Sequence, residues 1–243
     1  MKKFGLIGNS LSHSFSPAFF NAYFSQHNIQ AGYEILEIDA IEQITPYLTG
    51  TYDGLNVTIP YKEVIIPFLD DLSAEAQVIG AVNTVVFKGG KTIGHNTDAH
   101  GFQQAIKPFL TFEHERALIL GTGGSSKAVA YVLKNLGIQV NFLSRKQIGP
   151  NVYAYESVNE TMLDACKLIV NCTPVGMFPY AENCPLTSLS GIGLSHLVVD
   201  LIYNPEETLL LQKAKQHGAT TLNGLPMLKA QAMKSWELWT QCD

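Results

Sequence analysis

Short apolar runs of β type alternate along the chain with stretches whose apolar residues recur at helical spacing. In the first hundred residues the strand-like runs are 4–8, 33–38, 55–59 and 81–87, with helical patterns between them at about 17–27, 41–48 and 64–69. Ser16 followed by Pro17 reads as a helix start, because serine caps well and proline is tolerated in the first turn. A second series opens at Arg116, where the apolar run 117–120 leads into Gly121-Thr122-Gly123-Gly124 and then a helical pattern over 126–136. Further strands are predicted at 139–144, 168–172 and 196–201, and helices at 206–217 and 225–239. This alternation predicts an α/β protein with parallel sheets covered by helices on both faces. The stretch 98–115, a helical connector closed by the polar run 111–115, marks the junction between two domains.

Composition narrows the class without changing it. With 46% apolar and 15% charged residues over 243 positions, the chain has the make-up of a self-folding globular protein. A net charge of −5, its basic residues spread thinly, leaves no footprint for nucleic acid or an anionic membrane. The opening MKKFGLIGNS breaks its apolar run too early for a secretory signal, and no apolar stretch reaches the roughly 18 residues of a membrane helix. A cytoplasmic protein is expected. Cys166, Cys172, Cys184 and Cys242 lack metal-ligand spacing and read as reduced thiols, and no metal is expected.

The loop Gly121-Thr122-Gly123-Gly124-Ser125-Ser126 follows a strand and opens a helix, the setting a dinucleotide-binding turn requires. Gly121 would allow the tight turn and Gly123 the close approach of backbone to a pyrophosphate. The N–H groups of the helix start would hold its charge, and Ser126 would be the small residue where helix and strand meet. Without a ligand the same run is a glycine-rich turn. The end of the next strand reads Ser144-Arg145-Lys146. NAD enzymes place a carboxylate there for the ribose 2′-hydroxyl. Two cations suit a 2′-phosphate instead, which favours NADP; the alternative is a basic strand end at the surface.

Four polar clusters stand where ordinary strand ends need none: 10–16, 56–62, 83–84 and 96–98. Each follows or interrupts an apolar strand, so each is expected at a carboxyl edge, where open α/β sheets bind ligands. Taken singly they read as caps and turns. Together they offer hydroxyls and amides for a small polyhydroxylated anion, with Lys62 and Asp98 for proton transfer.

At all these places the chain resembles the shikimate dehydrogenase family, through HSFSP (13–17), NVTIPYKE (56–63), GAVNT (80–84), NTD (96–98), GTGGSSK (121–127), NCTPVGM (171–177), DLIYNP (200–205) and NGLPMLKAQA (223–232). The resemblance implies that Ser14 and Ser16 hold the substrate carboxylate and that Asn56, Thr58 and Asn83 bind ring hydroxyls. Lys62 and Asp98 would be the catalytic pair, with Tyr203 and Gln231 as further substrate contacts. Thr173, Met177, Ile202, Gly224 and Met227 would line the nicotinamide side. The last helix would return to the first domain, giving a discontinuous substrate-binding domain (1–100 with 224–243) and a Rossmann-like NADP domain (101–223), separated by a cleft. The implied activity is reversible NADPH-dependent reduction of 3-dehydroshikimate to shikimate by a monomer or homodimer. The departures are Ser144 and Lys146 beside the arginine of the cofactor turn, a missing second arginine, and Pro226 where glycine is common. An NAD-dependent quinate/shikimate dehydrogenase is one alternative, against which Lys146 speaks. A non-catalytic sensor of shikimate-like ligands or nucleotide is the other, and it would have no use for both Lys62 and Asp98.

Overall fold

In the computed structural model of the chain the described residues are 1–12, 14–146 and 149–241. His13, the first residue of the 13–17 motif, and Cys242 lie outside them. The chain divides into two compact units, Met1–His100 with Gln231–Asp243, and Gly101–Ala230. No helix among the described residues is long and apolar enough to cross a membrane.

The first unit opens with β1 (Lys2–Gly8), α1 (Phe15–Gln26), β2 (Ala31–Glu37) and β3 (Gly54–Val57). After these come β4 (Asp71–Leu72), α2 (Ala74–Ile79), β5 (Thr84–Lys88) and β6 (Lys91–His95). The helix α3 (Asp98–Ile106) leads out of the unit. The sheet order is β2-β1-β3-β5-β6-β4. Side chains alternate between two apolar clusters, Phe4 and Leu6 in one and Ile7 in the other, so both faces are covered.

This sheet corrects the expectation of a parallel one, because β5 runs antiparallel to both β3 and β6. The cause is local: Gly89 and Gly90 both take positive φ, which closes a two-residue hairpin in place of a crossover helix. The strand expected at 81–87 therefore begins at Thr84, and β6 is an addition. The pattern at 41–48 folds as a 3-10 helix with Pro46 inside it, and that at 64–69 keeps one 3-10 turn, Ile66–Phe68. Proline removes an interior N–H donor and favours such short turns. Ser14, not Ser16, is the N-cap residue of α1, and Ser16 lies inside its first turn.

The second unit contains β7 (Arg116–Leu120), α4 (Gly124–Asn135), β8 (Gln139–Leu143), β9 (Val152–Tyr153), α5 (Glu160–Ala165) and β10 (Leu168–Asn171). It continues through β11 (Leu197–Asp200), α6 (Leu209–Gln216), β12 (Thr220–Leu222) and the start of α7 (Leu225–Thr240). All its pairings are parallel, in the order β12-β11-β10-β7-β8-β9. Counted from β7 this is the 3-2-1-4-5-6 arrangement of dinucleotide-binding sheets, whose order reverses between β7 and β10. Every residue of β10 and β11 is buried, as central strands covered on both faces require. The helix expected from 206 starts at Leu209, because the Thr208 hydroxyl caps it by accepting from the Leu211 N–H.

Candidate functional site

In the first unit the polar residues gather where β3, β5, β6, α3 and α7 meet. Because β5 is antiparallel, its beginning lies beside the end of β3, with Asn56 opposite Thr84 in the register. Asn83 thus reaches the carboxyl edge of β3 from the amino end of its own strand, where the sequence pattern has the 83–84 cluster interrupting a strand over 81–87. β6 runs back, His95 opposite Thr84, and delivers Asn96, Thr97 and Asp98 to the same edge.

Lys62 follows β3, and its carbonyl accepts the Val82 N–H at 2.7 Å. Its Nζ donates to Asp98 Oδ2 at 2.5 Å, with the two side chains 13% and 7% exposed. Asp98 stands in the first turn of α3, where the helix N-terminus favours a carboxylate. Its other oxygen, Oδ1, accepts from Asn83 Nδ2 at 2.9 Å. That nitrogen also donates to Thr97 Oγ1 and Gln231 Oε1, while Asn83 Oδ1 accepts the Thr97 N–H at 2.7 Å. Asn83 is therefore the hub that orients the carboxylate, and the carboxylate orients the lysine. A charge pair this enclosed, and hydrogen-bonded on its far side, can hold a proton donor against a ligand oxygen.

Asn56, also buried, donates through Nδ2 to the Asn83 carbonyl, Thr84 Oγ1 and Ser235 Oγ at 3.0–3.1 Å, and accepts from the Tyr33 hydroxyl at 2.8 Å. Ser235 further bonds Thr84 at 2.8 Å and Thr97 at 3.1 Å. Gln231 and Ser235, one turn apart on α7, tie that helix to the strand ends. Ser16, in the first turn of α1, is buried. Ser14 and Thr58 are half-buried. Ser14 flanks α1 without capping it through its side chain, and Thr58 is fixed by its N–H to the Ile7 carbonyl at 2.9 Å. Thr84 and Thr97 lie in the polar clusters 83–84 and 96–98, whereas Tyr33 and Ser235 were not singled out from the sequence; the i, i+4 spacing of Gln231 and Ser235 was the one available signal.

In the second unit Gly121 takes φ +100°, and a Cβ there would stand 3.0 Å from Thr173 Cγ2 across the reversal point. A Cβ on Gly123 would meet nothing within 4 Å, so the backbone is open to a ligand there. No side chain caps the start of α4, which leaves first-turn N–H donors exposed to an anion. Ser126 Oγ is buried without a hydrogen-bond partner. Thr122, Gly124 and Ser125 complete the turn. Ser144, just past the end of β8, is buried, and its Oγ accepts the Lys146 N–H at 3.3 Å; Arg145 and Lys146 are exposed. An open glycine, uncapped helix donors and two exposed cations at the next strand end fit a phosphorylated dinucleotide.

The loops after β10 and β11 are bound together. Asn171 donates to Asp200 Oδ1 at 3.0 Å and accepts from the Thr173 N–H and hydroxyl at 3.0 and 2.7 Å. Asp200 also accepts from the Ile202 N–H at 3.1 Å and the Thr208 hydroxyl at 2.7 Å. The Phe178 N–H reaches the Asn204 carbonyl and the Gly224 N–H the Ile202 carbonyl. Gly224 passes so close to the Leu201 backbone that a Cβ would collide with the Leu201 carbonyl. Thr173, Ile202, Tyr203 and Gly224 thus share one loop cluster. Met177 on it is 45% exposed, whereas Met227, on α7, is buried. Burial pushes the Asp200 carboxyl up to about 6. Among the described residues no group of His, Cys, Asp or Glu could hold a metal ion.

A profile described as "Shikimate dehydrogenase substrate binding domain" matches residues 6–85. The chain is 39% identical over 262 residues to a protein from Halothermothrix orenii named "Shikimate dehydrogenase (NADP(+))", covering 97% of this chain and 90% of the relative. A crystal structure of shikimate 5-dehydrogenase from Thermus thermophilus, in complex with NADP(H) and shikimate, superposes with a TM-score of 0.87 at 33% identity, covering 99% and 94% of the two chains. A quinate dehydrogenase from Corynebacterium glutamicum in complex with NAD superposes equally well, with a TM-score of 0.87 at 30% identity over 99% and 94%.

Proposed function

This chain belongs to the shikimate dehydrogenase family, and from that premise we propose that Lys62 and Asp98 carry its proton chemistry. The reaction is the reversible NADPH-dependent reduction of 3-dehydroshikimate to shikimate, a step of aromatic amino acid biosynthesis. We assign residues 1–100 and 224–243 to substrate and 101–223 to NADP. The reading places the enzyme in the cytoplasm, as a monomer or homodimer acting on small molecules.

The observation that carries the mechanism is the enclosed Lys62–Asp98 pair, braced by Asn83. Ser14 and Ser16 receive the substrate carboxylate, and Asn56, Thr58 and Asn83 face the ring hydroxyls, with Tyr203 and Gln231 as further contacts. Asn56 and Asn83 spend their amide N–H groups on protein acceptors, so binding exchanges some of these bonds for ring oxygens. Gly121 to Ser126 hold the pyrophosphate, Ser144, Arg145 and Lys146 the 2′-phosphate, and Thr173, Met177, Ile202, Gly224 and Met227 the nicotinamide side. When bound, the nicotinamide gives the hydride in reduction and takes it in oxidation. Lys62 Nζ gives its proton to the substrate oxygen as that oxygen becomes a hydroxyl. Asp98 keeps the ammonium aimed, and in the oxidative direction the same pair takes the proton back.

Replacing Lys62 by Met removes the proton donor and keeps the stem. General acid–base groups contribute about 10²–10⁴ in rate, so K62M should lose kcat on that scale while shikimate KM changes far less. A near-normal kcat would take Lys62 out of the chemistry.

A further inference from the structure

Tyr33 lies on β2 in the aromatic core of the first unit, its ring stacked on Phe20 with centroids 4.7 Å apart. The residue is 4% exposed, yet its hydroxyl is hydrogen-bonded. It donates its single proton to Asn56 Oδ1 at 2.8 Å. Burial raises the phenol far above its ordinary range, so the hydroxyl keeps its proton at working pH.

An asparagine amide can be turned either way, and its partners decide which end faces where. The nitrogen of Asn56 points at the Asn83 carbonyl, Thr84 Oγ1 and Ser235 Oγ, two of which are hydroxyls able to donate as well as accept. The Asn83 carbonyl can only accept and so fixes the nitrogen end, and the Tyr33 O–H completes the oxygen end, joining β2 to Asn56 on β3. Phenylalanine would serve the packing equally well.

We infer that Tyr33 is a positioning residue for substrate binding: its hydroxyl holds the oxygen end of the Asn56 amide while the ring stays buried. This rests on the reading that Asn56 contacts the substrate.

The test is Tyr33→Phe in the full chain, followed through shikimate oxidation with NADP at 340 nm. The loss of one buried hydrogen bond predicts a shikimate KM raised about five- to tenfold, with kcat little changed and the KM for NADP unmoved. A loss of packing alone would lower Tm and leave that split absent. Asn56→Ala separates the two levels. If it raises shikimate KM and Tyr33→Phe does not, the positioning role is overturned; if it too leaves KM at the parent value, the substrate-contact reading falls and the inference with it. Should the Phe variant fail to fold, Tyr33→Leu takes its place with the same readouts. A raised shikimate KM with the NADP KM unmoved supports the role, and an unchanged shikimate KM overturns it.

Discussion

The two carboxylates Asp98 and Asp200 show how neighbours divide similar residues between tasks. Asp98 has a lysine on one oxygen and an amide on the other. Asp200 is fully buried with an amide, an N–H and a hydroxyl as its donors. Asp98→Asn should therefore cost kcat, on the scale of about 10²–10⁴ for a proton-transfer pair, with the fold kept, as measured by steady-state rates beside a melting curve. For Asp200 the effect is on stability. Its folded pKa, about 6, lies above the ordinary 3.8, so the folded chain binds this proton more tightly than the unfolded one. The contribution is most favourable at low pH and is lost as pH rises through 6, a span worth about 3 kcal/mol at most. Asp200→Asn removes that dependence. The variant's Tm, taken relative to the parent's, should rise between pH 5 and 7.5; a difference flat with pH would contradict the assignment. The polar clusters that hold Lys62, Asn83 and Asp98 were legible in the sequence because they interrupt apolar runs. Tyr33 and Ser235 were not, since one hydroxyl inside an aromatic or helical pattern looks like ordinary core or surface.

At the level of elements, α7 matters most to the site. Ser235 on it is fully buried and bonds Asn56, Thr84 and Thr97. Ser235→Ala would leave those groups short of a partner and should destabilise the fold by about 1–3 kcal/mol, seen as a lower urea midpoint; an unchanged midpoint would show the network closing over the gap. Gly224, just before α7, admits no side chain against the Leu201 backbone, so Gly224→Ala should displace the loop that carries Ile202 and Tyr203. Weaker NADP binding is the expected readout. Element type was read well where the pattern was long and regular, as in α4 and β7. It failed where prolines tightened 41–48 and 64–69 into 3-10 turns, and where Gly89-Gly90 turned the chain back. Glycine pairs of this kind specify a hairpin, and its antiparallel return is what brings Asn83 to the carboxyl edge of β3.

For the whole molecule, alternation of strand and helix predicted the α/β class, but strand order depends on which apolar faces cover one another. The reversal between β7 and β10 was therefore visible only in three dimensions. It puts Gly121 beside Thr173 and places the Ser144–Lys146 turn at the adjoining strand end. An arginine–phosphate bond is worth about 1.5–3 kcal/mol, so Arg145→Gln should weaken NADP roughly ten- to 150-fold and leave use of NAD nearly unaffected. The central claim is tested most directly by absorbance at 340 nm, with purified chain, shikimate or quinate, and NADP or NAD in separate cuvettes. The predicted result is a rise chiefly with shikimate and NADP. A rise chiefly with quinate or with NAD would contradict the substrate or cofactor assignment, and no rise in any cuvette from folded protein would contradict the enzyme itself.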